Sequence, residues 1–261
     1  MDSSQKNLVS AETQELGHIA MRGSMMNSAQ WLINKTLTAG AMLLIAYFLT
    51  PSEYGVGSQA LAIYGFVSIL QPMTVGDVLI AHPNRFSLLA PSGARLALII
   101  GCITAAVTLL SIPVVVHFYS DYPSSWLTCL LAIQAIRPMI EAKLVVPLSA
   151  MRLSLAYPKM AFIDGVVQMG ATLLSVLMAV FGGRAASLVV PQIVNVAAKA
   201  TWYSRLTNVP YSVRFHPKLA LYLFRSFAKV ASAQYIHNVI VILEILILGF
   251  VSGKYEVGLF G

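Results

Sequence analysis

The sequence carries little charge for its length. Only 10% of its 261 residues are charged, whereas 57% are hydrophobic. Soluble domains carry about 25% charged residues, so a chain this poor in charge cannot cover a water-facing surface. Its apolar side chains can face lipid instead, where backbone N–H and C=O groups must be hydrogen-bonded to each other within the chain. The composition therefore predicts an all-α, polytopic transmembrane helix bundle.

Several signatures of other protein classes are missing. The chain has no HExxH, GxSxG, Walker or GxGxxG motif, and GVGSQA at 55–60 lacks the third glycine. Cys102 and Cys129 lie within apolar runs, without CxxC or Cys/His metal spacing. The N-terminus shows no apolar signal-peptide region or cleavage site. We therefore expect no enzyme activity, no catalytic residues, no metal and no cofactor.

Seven apolar stretches are long enough to cross a membrane. A transmembrane helix needs about 20 mainly apolar residues, and proline and glycine mark nearly every break between the stretches. The predicted spans are roughly 28–49, 57–80, 95–118, 124–150, 159–181, 186–204 and 228–251.

The basic residues predict the orientation of these spans. Cytoplasmic loops of membrane proteins are enriched in lysine and arginine. With a cytoplasmic N-terminus, the opposite side of the membrane receives only Arg184 and Lys254. The cytoplasmic side then holds Lys6, Arg22, Arg85, Arg95, Arg152, Lys159, Arg205, Arg214, Lys218, Arg225 and Lys229.

Arg137 is the most informative polar residue within a predicted span. It lies about 20 Å from either end of that span at 1.5 Å per residue, and a buried charge costs several kcal/mol in lipid. Glu141 follows one helical turn later, on the same face. Pro138 has no N–H for the Gln134 carbonyl, which predicts a kink there. Two interpretations stay open: a self-neutralising structural ion pair, or a contact for an anionic ligand.

Other spans carry polar side chains at helical spacing. Each stripe alone is consistent with hydrogen bonding between packed helices, which contributes about 0.6 kcal/mol per pair. Together they predict a hydrated central cavity with a cationic bias. The stripes are Asn27, Gln30, Asn34 and Thr38 beside Lys35; Asp164 and Gln168; Gln192, Asn195 and Lys199; and Gln234, His237, Asn238 and Glu244.

Three segments resemble a known transporter family. They are AYFLTPSEYGVGSQALAIYGF at 46–66, the stretch from PLSAMRLSLAYPK to LVVPQIV at 147–194, and LEILILGFVSGKYEVGLFG at 243–261. The order of these features resembles the O-antigen flippases (Wzx-like) of the multidrug/oligosaccharidyl-lipid/polysaccharide exporter superfamily. The resemblance implies a two-lobe fold of twelve to fourteen helices, of which this chain would supply the N-terminal lobe and one further helix.

The resemblance also implies a function and a domain organisation. Its members move polyprenyl-pyrophosphate-linked sugar repeats across the bacterial inner membrane for surface polysaccharide biosynthesis. Expected partners are lipid-linked oligosaccharide, membrane lipids, and the polysaccharide polymerase and chain-length machinery, with no nucleic acid. We expect a cytoplasmic lead at 1–27, a six-helix lobe at 28–204, a cytoplasmic connector at 205–227, and at 228–261 a seventh span with the start of a missing second lobe.

Two alternatives to this function stay open. The first is a multidrug or cation antiporter of the same superfamily, which the predicted cationic bias of the cavity disfavours. The second is a truncated, non-functional fragment.

The candidate functional residues follow from the charged and polar stripes. The substrate-binding candidates are Arg137, Glu141, Lys35, Asn34, Asn195 and Lys199, and the coupling candidates are Asp164, His237 and Glu244.

Overall fold

The structure is a computed structural model that describes Met25 and residues 28–68, 72–118, 124–207 and 219–232. The regular structure in these ranges is helical, with no β-strand, so the predicted all-α helical bundle is confirmed. The helices are α1 (Ser28–Phe48), α2 (Pro51–Val67), α3 (Met73–Ile80), α4 (Phe86–Phe118), α5 (Ser124–Gln134), α6 (Arg137–Leu153), α7 (Tyr157–Val180), α8 (Ala186–Leu206) and α9 (219–232), with a 3₁₀ turn at Pro83–Arg85.

Three helical stretches of the described residues are long and apolar enough to cross a membrane unaided. They are Ser28–Phe48, Pro83–His117 and Tyr157–Val180, and they overlap the first, third and fifth predicted spans. The sixth predicted span corresponds to α8, which is long but less apolar. Most of the seventh, 228–251, lies outside the described residues.

The other two predicted spans are interrupted in the structure. The span predicted at 57–80 contains the end of α2 at Val67 and the start of α3 at Met73, directly after Pro72. The span predicted at 124–150 consists of α5 and α6, separated by two residues. The second break confirms the predicted kink, since Pro138 cannot donate a backbone hydrogen bond to the Gln134 carbonyl.

The start of α2 explains why its predicted boundary was late. Thr50 is the N-cap residue: its hydroxyl accepts a hydrogen bond from the Glu53 amide at 3.3 Å, and the Glu53 carboxylate accepts one from the Thr50 amide at 3.1 Å. Pro51 occupies the first helical position, where its missing N–H costs nothing. This capping box begins the helix six residues before the predicted position 57.

Helix α6 lies at the centre of the packing. Ala142, Val145 and Val146 pack with α3, α4 and α9, whereas Leu144 and Leu148 pack with α7 and α8. A different contact fixes the first turn of α6. A Cβ atom built on Gly101 of α4 would lie 2.6 Å from the Pro138 carbonyl oxygen, so only glycine allows this close approach. The kink is thus held by its neighbour α4.

Helix α9 runs across the predicted boundary between connector and seventh span at 227/228. Its Leu223 and Phe227 are fully buried against α3, α4 and α6, which gives this polar stretch an apolar attachment.

His82, in the turn after α3, contacts α9 through its ring. Nδ1 of His82 lies 3.0 Å from the Val78 carbonyl oxygen and must therefore donate to it. Nε2 of His82 lies 2.8 Å from the Tyr222 hydroxyl, a contact that joins α9 to the turn after α3.

Candidate functional site

Arg137 is held by three different neighbours. Its Nε donates to Oε1 of Glu141 at 2.8 Å, one turn further along α6. Its Nη1 donates to Oε1 of Gln192 on α8 at 2.9 Å. Its guanidinium carbon lies 5.3 Å from the ring centre of Tyr64 on α2, within cation–π range. The guanidinium is thereby fixed between α2, α6 and α8 while part of its surface stays accessible.

The kink places this arginine where it can face a cavity. A cavity of about 740 Å³ lies between α1, α2, α6, α7, α8 and the start of α3. The side chains of Arg137 and Glu141 are 25% and 14% exposed, so both are largely buried yet reachable from that cavity. The other polar residues of its lining are Thr38, Ser58, Gln168, Thr172, Ser175, Gln192, Asn195 and Lys199.

A hydrogen-bonded row of side chains follows α7 and α8 along this cavity. The Asn195 amide donates to the Gln168 carbonyl oxygen at 2.8 Å, and the Gln168 amide donates to the Thr172 hydroxyl at 3.5 Å. One turn beyond Asn195, Nζ of Lys199 lies 3.1 Å from Oδ1 of Asp164. The row pre-orders polar groups along one wall, with an ion pair at its end.

A second, smaller cavity adjoins the first. It has a volume of about 360 Å³ and shares Thr38, Gln168 and Lys199 with the larger one, so these residues form the boundary between the two. Its remaining lining comes from α1 and α7 and consists of Gln30, Trp31, Asn34, Lys35 and Asp164. We refer to the 740 Å³ space as the deep cavity and the 360 Å³ space as the outer cavity.

The structure brings most predicted site residues together. Arg137, Glu141, Asn195 and Lys199 line the deep cavity, and Asn34, Lys35, Asp164 and Lys199 line the outer one. His237 and Glu244 lie outside the described residues.

Some lining residues had no distinctive signal in the sequence. Tyr64, Ser58, Thr172 and Ser175 are ordinary members of apolar helices, and only packing shows that they meet Arg137 or the deep cavity. Trp31 was not among the candidates either, and it lines the outer cavity. Among the described residues, no group of three or more His, Cys, Asp or Glu side chains is placed to hold a metal ion.

Long apolar helices around two adjoining cavities with charged and polar lining residues are typical of a helical membrane protein. A model of the family described as polysaccharide biosynthesis protein matches residues 44–261, and the chain therefore belongs to that family. No curated protein and no solved structure matches the chain.

Proposed function

We propose that this chain translocates lipid-linked oligosaccharide across the bacterial inner membrane, with the deep cavity receiving the pyrophosphate of the polyprenyl carrier. Membership of the polysaccharide biosynthesis family supports a role in this pathway. The observation that carries the proposal is Arg137, a guanidinium held in place beside a 740 Å³ cavity. Planar guanidinium groups bind phosphate oxygens with two parallel hydrogen bonds.

The charge of the two cavities favours an anionic cargo over a cationic drug. Their lining contains three cations and two carboxylates, so its formal charge is positive. A cation antiporter would need the opposite sign, since a charge in a low-dielectric site is stabilised by its complement. The charged lining residues are Lys35, Arg137 and Lys199 against Glu141 and Asp164.

The proposal gives each ion pair a part in binding. Glu141 and Asp164 neutralise Arg137 and Lys199 at 2.8 Å and 3.1 Å while no cargo is present. An arriving pyrophosphate competes with those carboxylates for the same N–H groups. Arg137 also keeps its hydrogen bond to the neutral Gln192, which orients the guanidinium without cancelling its charge. The chain performs no chemical step in this proposal and acts as a transporter.

The experiment that tests the proposal is lipid binding by the purified 261-residue chain in detergent. We expect Arg137→Gln to weaken binding of undecaprenyl pyrophosphate about tenfold or more, since charge-assisted hydrogen bonds contribute about 1.5–3 kcal/mol and 1.4 kcal/mol is a factor of ten. Arg137→Lys should keep part of the affinity, because the charge survives without the fork geometry.

The matched control is Arg184→Gln. Arg184 is a 60% exposed arginine that pairs with Glu53 and lines neither cavity. The substitution Arg184→Gln removes the same charge from the protein and should leave lipid binding unchanged. Equal losses in Arg137→Gln and Arg184→Gln would reduce the effect to net charge, and undiminished binding by Arg137→Gln would refute the proposed site.

The proposed orientation has the N-terminus in the cytoplasm. Asn84 and Ser125 are both exposed; Asn84 lies just before the start of α4, and Ser125 lies in the first turn of α5, after the other end of α4. In a background with Cys102 and Cys129 replaced by alanine, we expect a reagent confined to the periplasm to label a cysteine placed at Ser125. It should not label one placed at Asn84. The reverse labelling pattern would invert the topology.

A further inference from the structure

The two cavities differ in the chemistry of their walls. The deep cavity mixes its polar groups with many apolar side chains, among them Met42, Ile45 and Leu144. Every residue that lines the outer cavity is polar or charged except Trp31, which is amphipathic. The outer cavity is therefore built for a ligand that is rich in hydrogen-bonding groups. Its volume of about 360 Å³ is at the lower end of the roughly 300–1,000 Å³ typical of small-molecule sites.

Trp31 gives this cavity a flat apolar surface. The side chain is 61% exposed, and Nζ of Lys35 lies 5.8 Å from the centre of its ring, one turn along α1. The face of an aromatic ring carries partial negative charge and attracts the weakly positive C–H groups of a ligand. A pyranose offers such C–H groups on the broad face of its ring and hydroxyl groups around its edge.

Two amides stand beside that surface. Gln30 packs against Gly165 of α7, with its Cγ 3.8 Å from where a Cβ of that glycine would lie, and Asn34 follows Gln30 by one turn. Neither amide has a hydrogen-bond partner among the described residues. A primary amide offers two donors and an acceptor that accepts two bonds. Both amides can therefore serve hydroxyl groups of a ligand.

The acidic wall of the outer cavity completes the set. Asp164 is bonded to Lys199 at 3.1 Å through Oδ1. An ionised carboxylate has about four acceptor positions, so Asp164 can accept hydroxyl donors whether Lys199 stays bonded to it or turns to the pyrophosphate. The outer cavity thus has a carboxylate acceptor on α7 and two amides on α1 in the same lining.

From this arrangement we infer that the outer cavity binds the first sugar of the cargo, with Trp31 packed on the pyranose ring and Gln30, Asn34 and Asp164 bonded to its hydroxyls. The inference rests on the proposed function, since the sugar arrives attached to the pyrophosphate assigned to Arg137. The shared boundary at Thr38, Gln168 and Lys199 gives the two cavities the order that such a cargo requires, sugar next to pyrophosphate. Trp31 is then a residue that sets sugar specificity.

The test compares glycosylated and bare lipid on the same purified chain. The probes are undecaprenyl pyrophosphate alone and the same lipid carrying one glucose, galactose or N-acetylglucosamine. We expect at least one glycosylated probe to bind the wild-type chain fivefold or more tightly than the bare lipid. Trp31→Ala should abolish that advantage, taken as the ratio of the two affinities within the same variant, and Trp31→Phe should retain part of it.

Trp126→Ala is the matched control, since Trp126 is also partly exposed, at 39%, but lines neither cavity. It should keep the full sugar advantage. Equal affinities for bare and glycosylated lipids in the wild-type chain, or an advantage that survives Trp31→Ala, would overturn the sugar site while leaving the pyrophosphate site intact. Failure of the bare lipid to bind would instead refute the proposed function, and the sugar site with it.

Discussion

Among the described residues, the ion pairs that line the cavities differ in their access to water from two pairs that lie outside them, Arg152–Asp77 and Arg184–Glu53. Arg137–Glu141 and Lys199–Asp164 have side-chain exposures of 25%/14% and 23%/33%. Arg152–Asp77 and Arg184–Glu53 have exposures of 40%/44% and 60%/29%. The more exposed pairs join helix ends, where such contacts contribute at most about 1 kcal/mol.

The difference bears on why the buried pairs exist. Taking two charges out of water costs several kcal/mol per ion, and a well-packed apolar pair of similar volume often stabilises a fold equally well or better. Stability alone therefore gives little reason to keep Arg137 and Glu141 in the middle of the bundle. A binding site that must present a positive charge to a mobile anion does give a reason to keep this pair. Stability and lipid binding, measured on the same variants, test this distinction.

The largest effect on stability is expected from Arg137→Met. It leaves Glu141, 14% exposed, without a cation. Removing one partner of a fully buried pair costs about 3–5 kcal/mol, and here the adjoining cavity lets water reach the carboxylate. We expect a loss of about 2–3 kcal/mol, measured by thermal or denaturant unfolding of the purified chain in detergent.

The companion variant replaces both charges, as Arg137→Met with Glu141→Leu. It should regain most of the lost stability, because no unpaired charge remains. It should still fail to bind undecaprenyl pyrophosphate. If the double variant binds the lipid normally, the Arg137–Glu141 pair is purely structural, as the exposed pairs are.

A smaller effect is expected from Gly101→Ala. The new Cβ would lie 2.6 Å from the Pro138 carbonyl oxygen, so α4 and the first turn of α6 must move apart. Overpacking of this kind costs about 1–3 kcal/mol, and it displaces Arg137, which should weaken lipid binding as well. Gly170→Ala in α7 is the control, with nothing within 4 Å of its new Cβ. It should be neutral or slightly stabilising, since alanine is the better helix former.

The smallest effect is expected from Arg152→Gln. Its ion pair with Asp77 spans 3.2 Å between α6 and α3, but both side chains are more than a third exposed. We expect less than about 1 kcal/mol of destabilisation and unchanged lipid binding. Lys159→Gln removes a charge from the same predicted side of the membrane and should behave alike. A loss near that of Arg137→Met would show that exposure does not separate the two kinds of pair.

Sequence periodicity predicted the faces of the helices but not their neighbours. The one-turn spacing of Arg137 and Glu141 and the kink at Pro138 follow from local geometry and were predictable. The partner Gln192 is 55 residues away from Arg137, and no spacing rule links them. Periodicity defines which side chains share a face of one helix. Which face of another helix packs against it depends on the whole bundle.

Smoothing over apolar stretches explains the boundaries that differ. The second predicted span ignored Pro72, directly before α3, and started after the capping box of Thr50 and Glu53. The polar character of the 205–227 segment hid the stripe of Leu223 and Phe227 that buries α9. Averages over about 20 residues respond to composition, whereas helix ends are set by single caps and prolines.

Helix α1 is the least buried of the three long apolar helices, with 11% of its apolar window buried. It nevertheless supplies Trp31, Asn34 and Lys35 to the wall of the outer cavity. Few folding contacts depend on these positions, so a substitution there alters the wall at little cost in stability. With the sugar site proposed above, selection can retune sugar preference through α1 while the core around α6 stays fixed. Divergence among relatives with different surface sugars would accordingly collect on the inward face of the first helix.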